Sequence, residues 1–210
     1  MSNTLPAKPP APNSRQQSLL VIHTGYAYES WTPSDMEQRA VAGSEIAAVR
    51  LAQEFARRGF RVVIFVPSDG RSGNCSGVEF RDGADFLRFA EEQVIDILIV
   101  SRYVRLFDGP VRARKRFLWL HDICARETAP GANDVMRSLH RRIDGIVCQT
   151  ESQVETVMRW HGISREKMHI IGLGTDTTRF ELDIDRQPNR FIYASGPERG
   201  LDNAGFVFDD

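Results

Sequence analysis

Residues 43–67 read GSEIAAVRLAQEFARRGFRVVIFVP, and this stretch decides the fold class. Apolar residues recur at helical spacing through residues 43–58, while charged residues occupy the other face of that helix. Gly59 has the position of a helix C-terminal glycine. Residues 61–66 form an apolar run, typical of a strand buried on both faces, and Pro67 stops it. The stretch therefore predicts a helix followed by a buried parallel strand.

A short apolar run precedes the helix, so a strand–helix–strand unit can form. Residues 18–23, SLLVIH, are rich in branched side chains, as expected of another buried strand. Residues 24–40 predict a long polar loop, and such loops inside compact domains are usually functional or mobile. The expected result is a β-α-β unit with a right-handed crossover.

The same alternation continues along the chain. Further strands are predicted at 77–80, 95–101, 116–121, 143–148 and 167–171, and further helices at 85–93, at 133–142 with Asn133 as its cap, and from the cap Thr150 to about residue 160. Strands that alternate with helices predict an α/β fold with a doubly wound, Rossmann-like parallel sheet.

Composition sets the expected domain boundaries. Residues 1–17 are rich in Pro, Ala, Ser and Asn and predict a disordered tail. The sheet domain is expected over 18–180, and a polar linker over 181–190. Residues 191–210 would begin a second domain, which needs on the order of 100 residues. We therefore expect a truncated second domain, whose exposed first strand favours self-association.

Charge and cysteine content exclude several function classes. The formal net charge of −1 gives no electrostatic footprint for nucleic acid. No apolar run approaches the roughly 18 residues of a membrane span, and the N-terminus does not resemble a secretory signal. The three scattered cysteines favour a reducing compartment and give no zinc-binding pattern. We therefore predict a cytoplasmic protein without a structural metal.

A basic run at residues 112–116 contains three arginines and one lysine. We interpret this run as a solvated loop. Peripheral contact with a membrane surface, or with an acidic acceptor, is the alternative.

Polar residues follow several of the predicted strands. Ligands of open parallel sheets bind beyond the carboxyl ends of the strands. His23-Thr24-Gly25 follows the first strand, and His121-Asp122 follows the strand predicted at 116–121. A histidine there can donate to a sugar hydroxyl or act as an acid or base, or it can be structural. Position favours a functional His121, whereas both interpretations of His23 stay open.

The first predicted helix begins with Gly43-Ser44-Glu45. Because glycine lacks a side chain, a ligand can approach the backbone closely there. The free N–H groups and the positive dipole end of a helix favour a phosphate. A plain helix cap is the alternative, and this segment alone does not decide between them.

Four motifs follow one another along residues 19–201 in a fixed order. They are AGSE at 42–45 with LAQEFARRGFRV at 51–62; WLHD at 119–122; the segment 144–180, which contains GISREKMHII and GTDTTRF; and FIYAS at 191–195 with RGL at 199–201. Their order and spacing are more specific than any single motif. Together they resemble the family-four glycosyltransferases of the GT-B fold.

The resemblance implies transfer of a sugar from a nucleotide-sugar donor to a glycan, lipid or small-molecule acceptor. It also implies retention of the anomeric configuration, with no cofactor and no bound metal. Gly43, with Ser44 and Glu45, would contact the donor phosphates, and Arg199 would help to hold the diphosphate through its fork of donors.

The acceptor side of the site is also implied by the resemblance. His121, with Asp122 beside it, would lie near the transferred sugar and the acceptor as the catalytic pair. His23, Thr24 and Gly25 would line the acceptor side.

The sequence departs from the family pattern in two places. Leu173 replaces the usual asparagine before Gly174, and the acidic pair that grips the donor lies beyond the end of the chain. We therefore expect little activity from this chain alone. A non-enzymatic module that pairs with a separate donor domain is the alternative. A dinucleotide-dependent oxidoreductase is disfavoured, because no GxGxxG turn directly follows the first strand.

Overall fold

A computed structural model describes residues 17–25, 29–122 and 132–174, with a few isolated residues beyond 174. The chain divides into two compact units, Met1–Gly174 and Thr175–Asp210. The helices and strands of the described residues all belong to the first unit. The predicted tail, the predicted linker and the strand predicted to open a second domain fall almost entirely outside the described residues.

Eight strands form one sheet in the described part of the chain. They are β1 Leu19–His23, β2 Arg61–Val66, β3 Gly73–Cys75, β4 Val78–Asp82, β5 Ile95–Ser101, β6 Ala113–Trp119, β7 Gly145–Cys148 and β8 Met168–Ile170. The spatial order is β3-β4-β2-β1-β5-β6-β7-β8, and every neighbouring pair is parallel except β3 with β4. Strands β2 to β4 therefore lie on one side of β1, and strands β5 to β8 lie on the other side.

Four α-helices connect the strands. They are α1 Gly43–Arg57, α2 Phe86–Glu92, α3 Ala132–Leu139 and α4 Glu151–His161. Short 3-10 turns at 33–37, 83–85, 104–108, 140–142 and 165–167 complete the connections among the described residues.

The core lies on both faces of the sheet, as alternation along β1 shows. Val21 belongs to an apolar cluster that α2, α3 and α4 cover, whereas its neighbours Leu20 and Ile22 belong to a second cluster that α1 covers. Successive side chains of a strand point to opposite faces, so both faces of β1 are buried. Helices on both faces of a parallel sheet confirm the predicted doubly wound α/β fold.

Two helix ends follow the predicted chemistry and one differs. Gly59 lies just past the end of α1 with a φ of +92°, and the Thr150 Oγ1 accepts the N–H of Gln153 at 3.2 Å, as a cap does. Helix α3 begins at Ala132, so the predicted cap Asn133 lies inside the first turn instead. That prediction was wrong by one residue, because cap chemistry alone does not fix where the preceding chain turns.

Strand β6 begins earlier than predicted, and this changes the interpretation of the basic run. Arg114, Lys115 and Arg116 lie in the strand and not in a loop. The charged side chains stay solvated, and Lys115 reaches Asp144 at 3.3 Å while Arg114 reaches Asp96 at 3.4 Å. Backbone pairing of β6 with β5 therefore extends through these charged residues, for which hydrophobic patterning alone predicts no strand.

The predicted loop at 24–40 is partly packed. Trp31 is 3% exposed, and its backbone N–H donates to the carbonyl of Pro67 at 2.9 Å. A 3-10 turn, Pro33–Glu37, follows it. The hairpin strand β3 was also absent from the prediction, because a three-residue polar strand has no hydrophobic alternation to detect.

Gly25 controls how closely the chain leaving β1 approaches the end of β5. Its φ is +78°, and a Cβ at this position would lie 2.9 Å from the carbonyl oxygen of Ser101. Both the left-handed backbone and the close approach require glycine.

We expect Gly25→Ala to lower the free energy of unfolding by about 1–3 kcal/mol, because alanine at positive φ is strained and its methyl group meets backbone. Urea denaturation measures this loss. Gly43→Ala is the matched control, since a Cβ at Gly43 meets no atom within 4 Å. Equal stability of the two variants would contradict the crowding at Gly25.

Candidate functional site

The order of the sheet reverses between β1 and β5, and this is where an open parallel sheet binds its ligands. The carboxyl ends of β1, β5 and β6 bring their following residues to this edge, beside the start of α1. Gly25, Arg102 and His121 therefore come from three different strand ends.

Arg102 is the centre of this edge. Its Nε donates to Asp122 Oδ2 at 2.7 Å, and one Nη donates to Ser44 Oγ at 3.0 Å. The Glu45 carboxylate lies 4.0 Å from the same Nη. One guanidinium thus joins the end of β5 to the start of α1 and to the segment after β6. The planar fork of an arginine suits such multiple contacts.

The backbone of Arg102 is itself unusual. Its φ is +60°, and its N–H donates to the carbonyl of Trp119 at 3.0 Å. A non-glycine residue in this region costs on the order of 1 kcal/mol or more and persists where surrounding contacts hold it. The side-chain contacts with Ser44 and Asp122 are such contacts. Sequence reasoning missed Arg102, although its place directly after a buried strand is a detectable signal.

Ser44 and Glu45 both turn toward Arg102. The Ser44 hydroxyl contacts Glu45 Oε2 at 2.6 Å, and Glu45 is 7% exposed. These side chains are engaged within the protein, and the Glu45 N–H donates to the carbonyl of Ala42 at 3.1 Å, so any contact with a phosphate would come from the Ser44 N–H. Their role in phosphate binding stays a prediction.

The start of α1 is open. Gly43 is its first residue, and the preceding Ala42 provides no side-chain cap. The first N–H groups of a helix have no intrahelical partner and form the positive end of the helix dipole. With open space beside Gly43, an anion can reach these groups directly.

His121 is half-buried, and its ring lies against Trp119 with 4.4 Å between ring centroids. Burial and the charge of Arg102 lower the His121 pKa to about 4, although Asp122 and Glu45 oppose this shift. The ring is therefore neutral at pH 7. Within the described residues its buried Nε2 has no hydrogen-bond partner, so the hydrogen-bonding capacity of this nitrogen is unused.

Asp122 is held from two sides. Arg102 binds its carboxylate, and the Gln153 side chain donates to its carbonyl at 2.6 Å. Gln153 in turn accepts the N–H of Gln149 at 2.7 Å. Gln153 is 6% exposed and was missed by sequence reasoning, because nothing in its local sequence indicates a contact 31 residues away.

His23 has a different environment from His121. It is 7% exposed, stacks against Phe65 and meets Phe86 edge-on. Its Nδ1 accepts the N–H of Gly25 at 3.0 Å. Burial lowers the His23 pKa to about 4, against a backbone hydrogen bond with Gly83. These contacts favour the structural interpretation of His23 that the sequence left open.

The other predicted acceptor-side residues are also satisfied internally. The buried Thr24 hydroxyl donates to the carbonyl of Phe65 at 3.1 Å, and the Gly25 N–H is taken by His23. Of the predicted site residues, the structure brings together His121, Asp122, Ser44 and Glu45. Arg199 lies outside the described residues.

A cavity of about 620 Å³ opens at the same edge, on the α2 side of the sheet. Its walls come from residues after β1, β2, β4 and β5 and from the start of α2, and they include Gly25, Pro67, Ala84, Leu87, Tyr103 and Leu106. Arg102 also lines this cavity, which therefore adjoins the Arg102 contacts.

The sequence comparison decides the family. Residues 41–179 match the family model described as Glycosyltransferase Family 4, and the match includes α1, Arg102, His121 and α4. The chain belongs to glycosyltransferase family 4. Its sheet is consistent with the N-terminal domain of a GT-B glycosyltransferase. Among the curated proteins compared with this family member, none matches.

In the part of the chain that the structure describes, no helix has the length and apolar character needed to span a bilayer. The same residues contain no cluster of three or more histidine, cysteine or acidic side chains suited to a metal ion.

The lowered pKa values of His23 and His121 predict a loss of stability in mild acid. Each has a folded-state pKa of about 4 and an ordinary value of 6.5, so the unfolded chain binds protons first as the pH falls. Stability is then complete above pH 6.5 and falls between pH 6.5 and 4. For His23 the full loss is roughly 3 kcal/mol.

Urea denaturation between pH 7 and 4 measures this effect. We expect His23→Gln, which cannot titrate in this range, to show a weaker pH dependence than the wild type. A parallel decline in both proteins would show that other groups cause the acid sensitivity.

Removal of Arg102 should destabilise the fold, because Glu45 and Asp122 lose a charged partner and Glu45 is buried. We expect Arg102→Ala to lower the free energy of unfolding by about 1–3 kcal/mol. Arg57→Ala is the control, since that side chain is 72% exposed and its ion pair with Glu54 should contribute little to stability. If both variants lost an equally small free energy of unfolding, the Arg102 side chain would not join the end of β5 to the start of α1 and to the segment after β6.

Proposed function

We propose that this family member transfers a sugar from a nucleotide-sugar donor to an acceptor hydroxyl at the β1–β5 edge. One observation carries the proposal. Within the described residues the Nε2 of His121 has no hydrogen-bond partner, and this nitrogen and the open start of α1 flank the same Arg102 contacts. Family membership supplies the reaction class, and the arrangement supports these residues as its site.

The donor diphosphate would bind at the start of α1. Its negative charge suits the free N–H groups and the dipole of the helix, and Gly43 leaves room for close backbone contact. These donors are fixed before the reaction, so they can stabilise the charge that grows on the diphosphate as it leaves. The role of Arg199 in holding a diphosphate stays a prediction from the sequence resemblance.

His121 would hold the transferred sugar. Because burial keeps its pKa near 4, the ring is neutral at pH 7 and carries one donor and one acceptor nitrogen. A hydrogen bond to a sugar hydroxyl therefore suits it better than proton donation as a general acid. Asp122 would act indirectly, through its contacts with Arg102 and Gln153, by fixing the backbone that carries His121.

The transfer itself would exchange one bond at the anomeric carbon for another. The bond to the donor phosphate breaks, the bond to the acceptor oxygen forms, and the hydroxyl proton passes to the departing nucleoside diphosphate. We propose that the configuration at this carbon is retained and that no metal ion takes part, as the resemblance implies. NMR of the product, and assays with a chelator, test these two points.

Substitutions of His121 and Gly43 should separate two steps of the reaction. We expect His121→Ala to lower kcat/KM by roughly 10²-fold or more, because it removes a positioned hydrogen-bonding group. Gly43→Ala should mainly raise the donor KM, since its methyl group occupies the approach to the backbone while stability is unchanged. His169→Ala is the control, because His169 is exposed on β8.

The assay measures nucleoside diphosphate release from a panel of nucleotide sugars, with calorimetry to measure binding. Equal activity of His121→Ala and the control would contradict the assignment of His121. Because little activity is expected of this chain alone, each variant is compared with the low wild-type rate. Complete absence of both nucleotide-sugar binding and turnover in the wild-type protein would favour the alternative of a non-enzymatic binding module.

A further inference from the structure

The cavity on the α2 side of the site has mostly apolar walls. Phe86, 1% exposed, contributes to its lining, and Pro67, Ala84 and Leu106 contribute further apolar surface. A volume of about 620 Å³ is within the range of pockets that bind a compact organic molecule.

Two large apolar side chains of the lining are also solvent-exposed. Leu87 is 47% exposed and Tyr103 is 42% exposed. One belongs to α2 and the other directly follows Arg102, so the cavity lies between these two elements. Exposed apolar surface that continues into a concave pocket is typical of a ligand-binding site.

Three polar side chains in the wall, those of Asp82, His23 and Arg102, are already engaged by the protein. Asp82 accepts the N–H groups of Ser68, Gly70 and Ala84 at 3.2, 2.8 and 2.8 Å. His23 accepts the Gly25 N–H and has a further hydrogen bond with the backbone of Gly83.

Arg102 directs its Nε and one Nη to Asp122 and Ser44. A polyhydroxylated ligand would therefore find few free partners in this wall. The binding free energy of a hydrocarbon group, in contrast, becomes more favourable with every apolar contact that removes its surface from water.

We propose that this cavity binds the hydrocarbon part of the acceptor, an alkyl, prenyl or aromatic group attached to the hydroxyl that receives the sugar. This inference rests on the proposed sugar transfer at the adjoining edge. Arg102 belongs to both sites, so a group in the cavity places its polar end beside Asp122 and the start of α1. The structure then selects an amphipathic acceptor over a plain sugar.

Direct binding tests the cavity without any need for turnover. Calorimetry with alkyl β-glucosides, from methyl to octyl and below the micelle-forming concentration, varies only the hydrocarbon. We expect affinity to rise about two- to fourfold for each methylene that enters the cavity. Phenyl β-glucoside in a separate arm distinguishes an aromatic group from a linear chain. Equal affinity for methyl and octyl glucoside would overturn the proposal.

Leu87→Asp places a carboxylate in the apolar wall, where it loses hydration when hydrocarbon binds. We expect octyl glucoside to bind at least about tenfold more weakly to this variant. Leu87→Met should bind as the wild type does, because it conserves apolar volume. Val94→Asp is the matched control, since Val94 is 53% exposed, follows the same helix and does not line the cavity.

A transfer assay then connects the cavity to the reaction. Leu87→Asp should raise KM for octyl glucoside and leave kcat and the KM for the nucleotide sugar unchanged. Equal effects of Leu87→Asp and Val94→Asp on binding would overturn the cavity assignment. Chain-length-dependent binding without transfer to any glucoside would instead contradict the proposed function, so the two failures are distinguishable.

Discussion

The contacts of the Arg102 guanidinium determine how the functional edge of this sheet is assembled. Three segments far apart in sequence meet there: the start of α1, the end of β5 and the segment after β6. Backbone pairing fixes the strands, but it does not fix the residues that follow them. A charged fork with partners at 2.7 and 3.0 Å supplies that remaining constraint, and it does so in a partly buried place where charge-assisted hydrogen bonds are strong.

The sheet explains why the site is at this edge. Both faces of β1 are covered, one by α1 and the other by α2, α3 and α4. Ligand access is therefore at the ends of the strands, and the reversal of strand order leaves a crevice between β1 and β5. The open start of α1 and the cavity beside α2 flank this crevice on opposite faces of the sheet. The proposed donor at the start of α1 and the proposed acceptor in the cavity would thus meet at the strand ends, near His121.

Much of the fold follows from sequence pattern, and the reason is local. The helix at 43–58 and the strands at 18–23 and 61–66 were predicted within two residues of their ends, because hydrophobic periodicity acts over a few neighbours. The hairpin strand β3 and the start of β6 were not predicted. Their residues are polar, and pairing with a neighbouring strand, which is not local, stabilises them.

The site was predictable only in outline, because most of its contacts join residues that are distant in sequence. Ligands of parallel sheets bind beyond the carboxyl ends of the strands, and this rule identified His121 and Asp122, while the helix start identified Gly43. The hydrogen bonds of Arg102 at this edge join residues 20 and 58 positions apart in sequence, and no local pattern encodes such contacts. His23 shows the converse case, since its position at a strand end suggested function while its aromatic neighbours enclose it.

The left-handed backbone of Arg102 has an evolutionary consequence. Glycine or asparagine would suit a φ of +60° better, but neither reaches both Ser44 and Asp122. Lysine would keep the charge and lose the fork. Each of these changes therefore fails at least one requirement, so drift toward another residue must pass through a less fit sequence or await a second substitution at position 44 or 122.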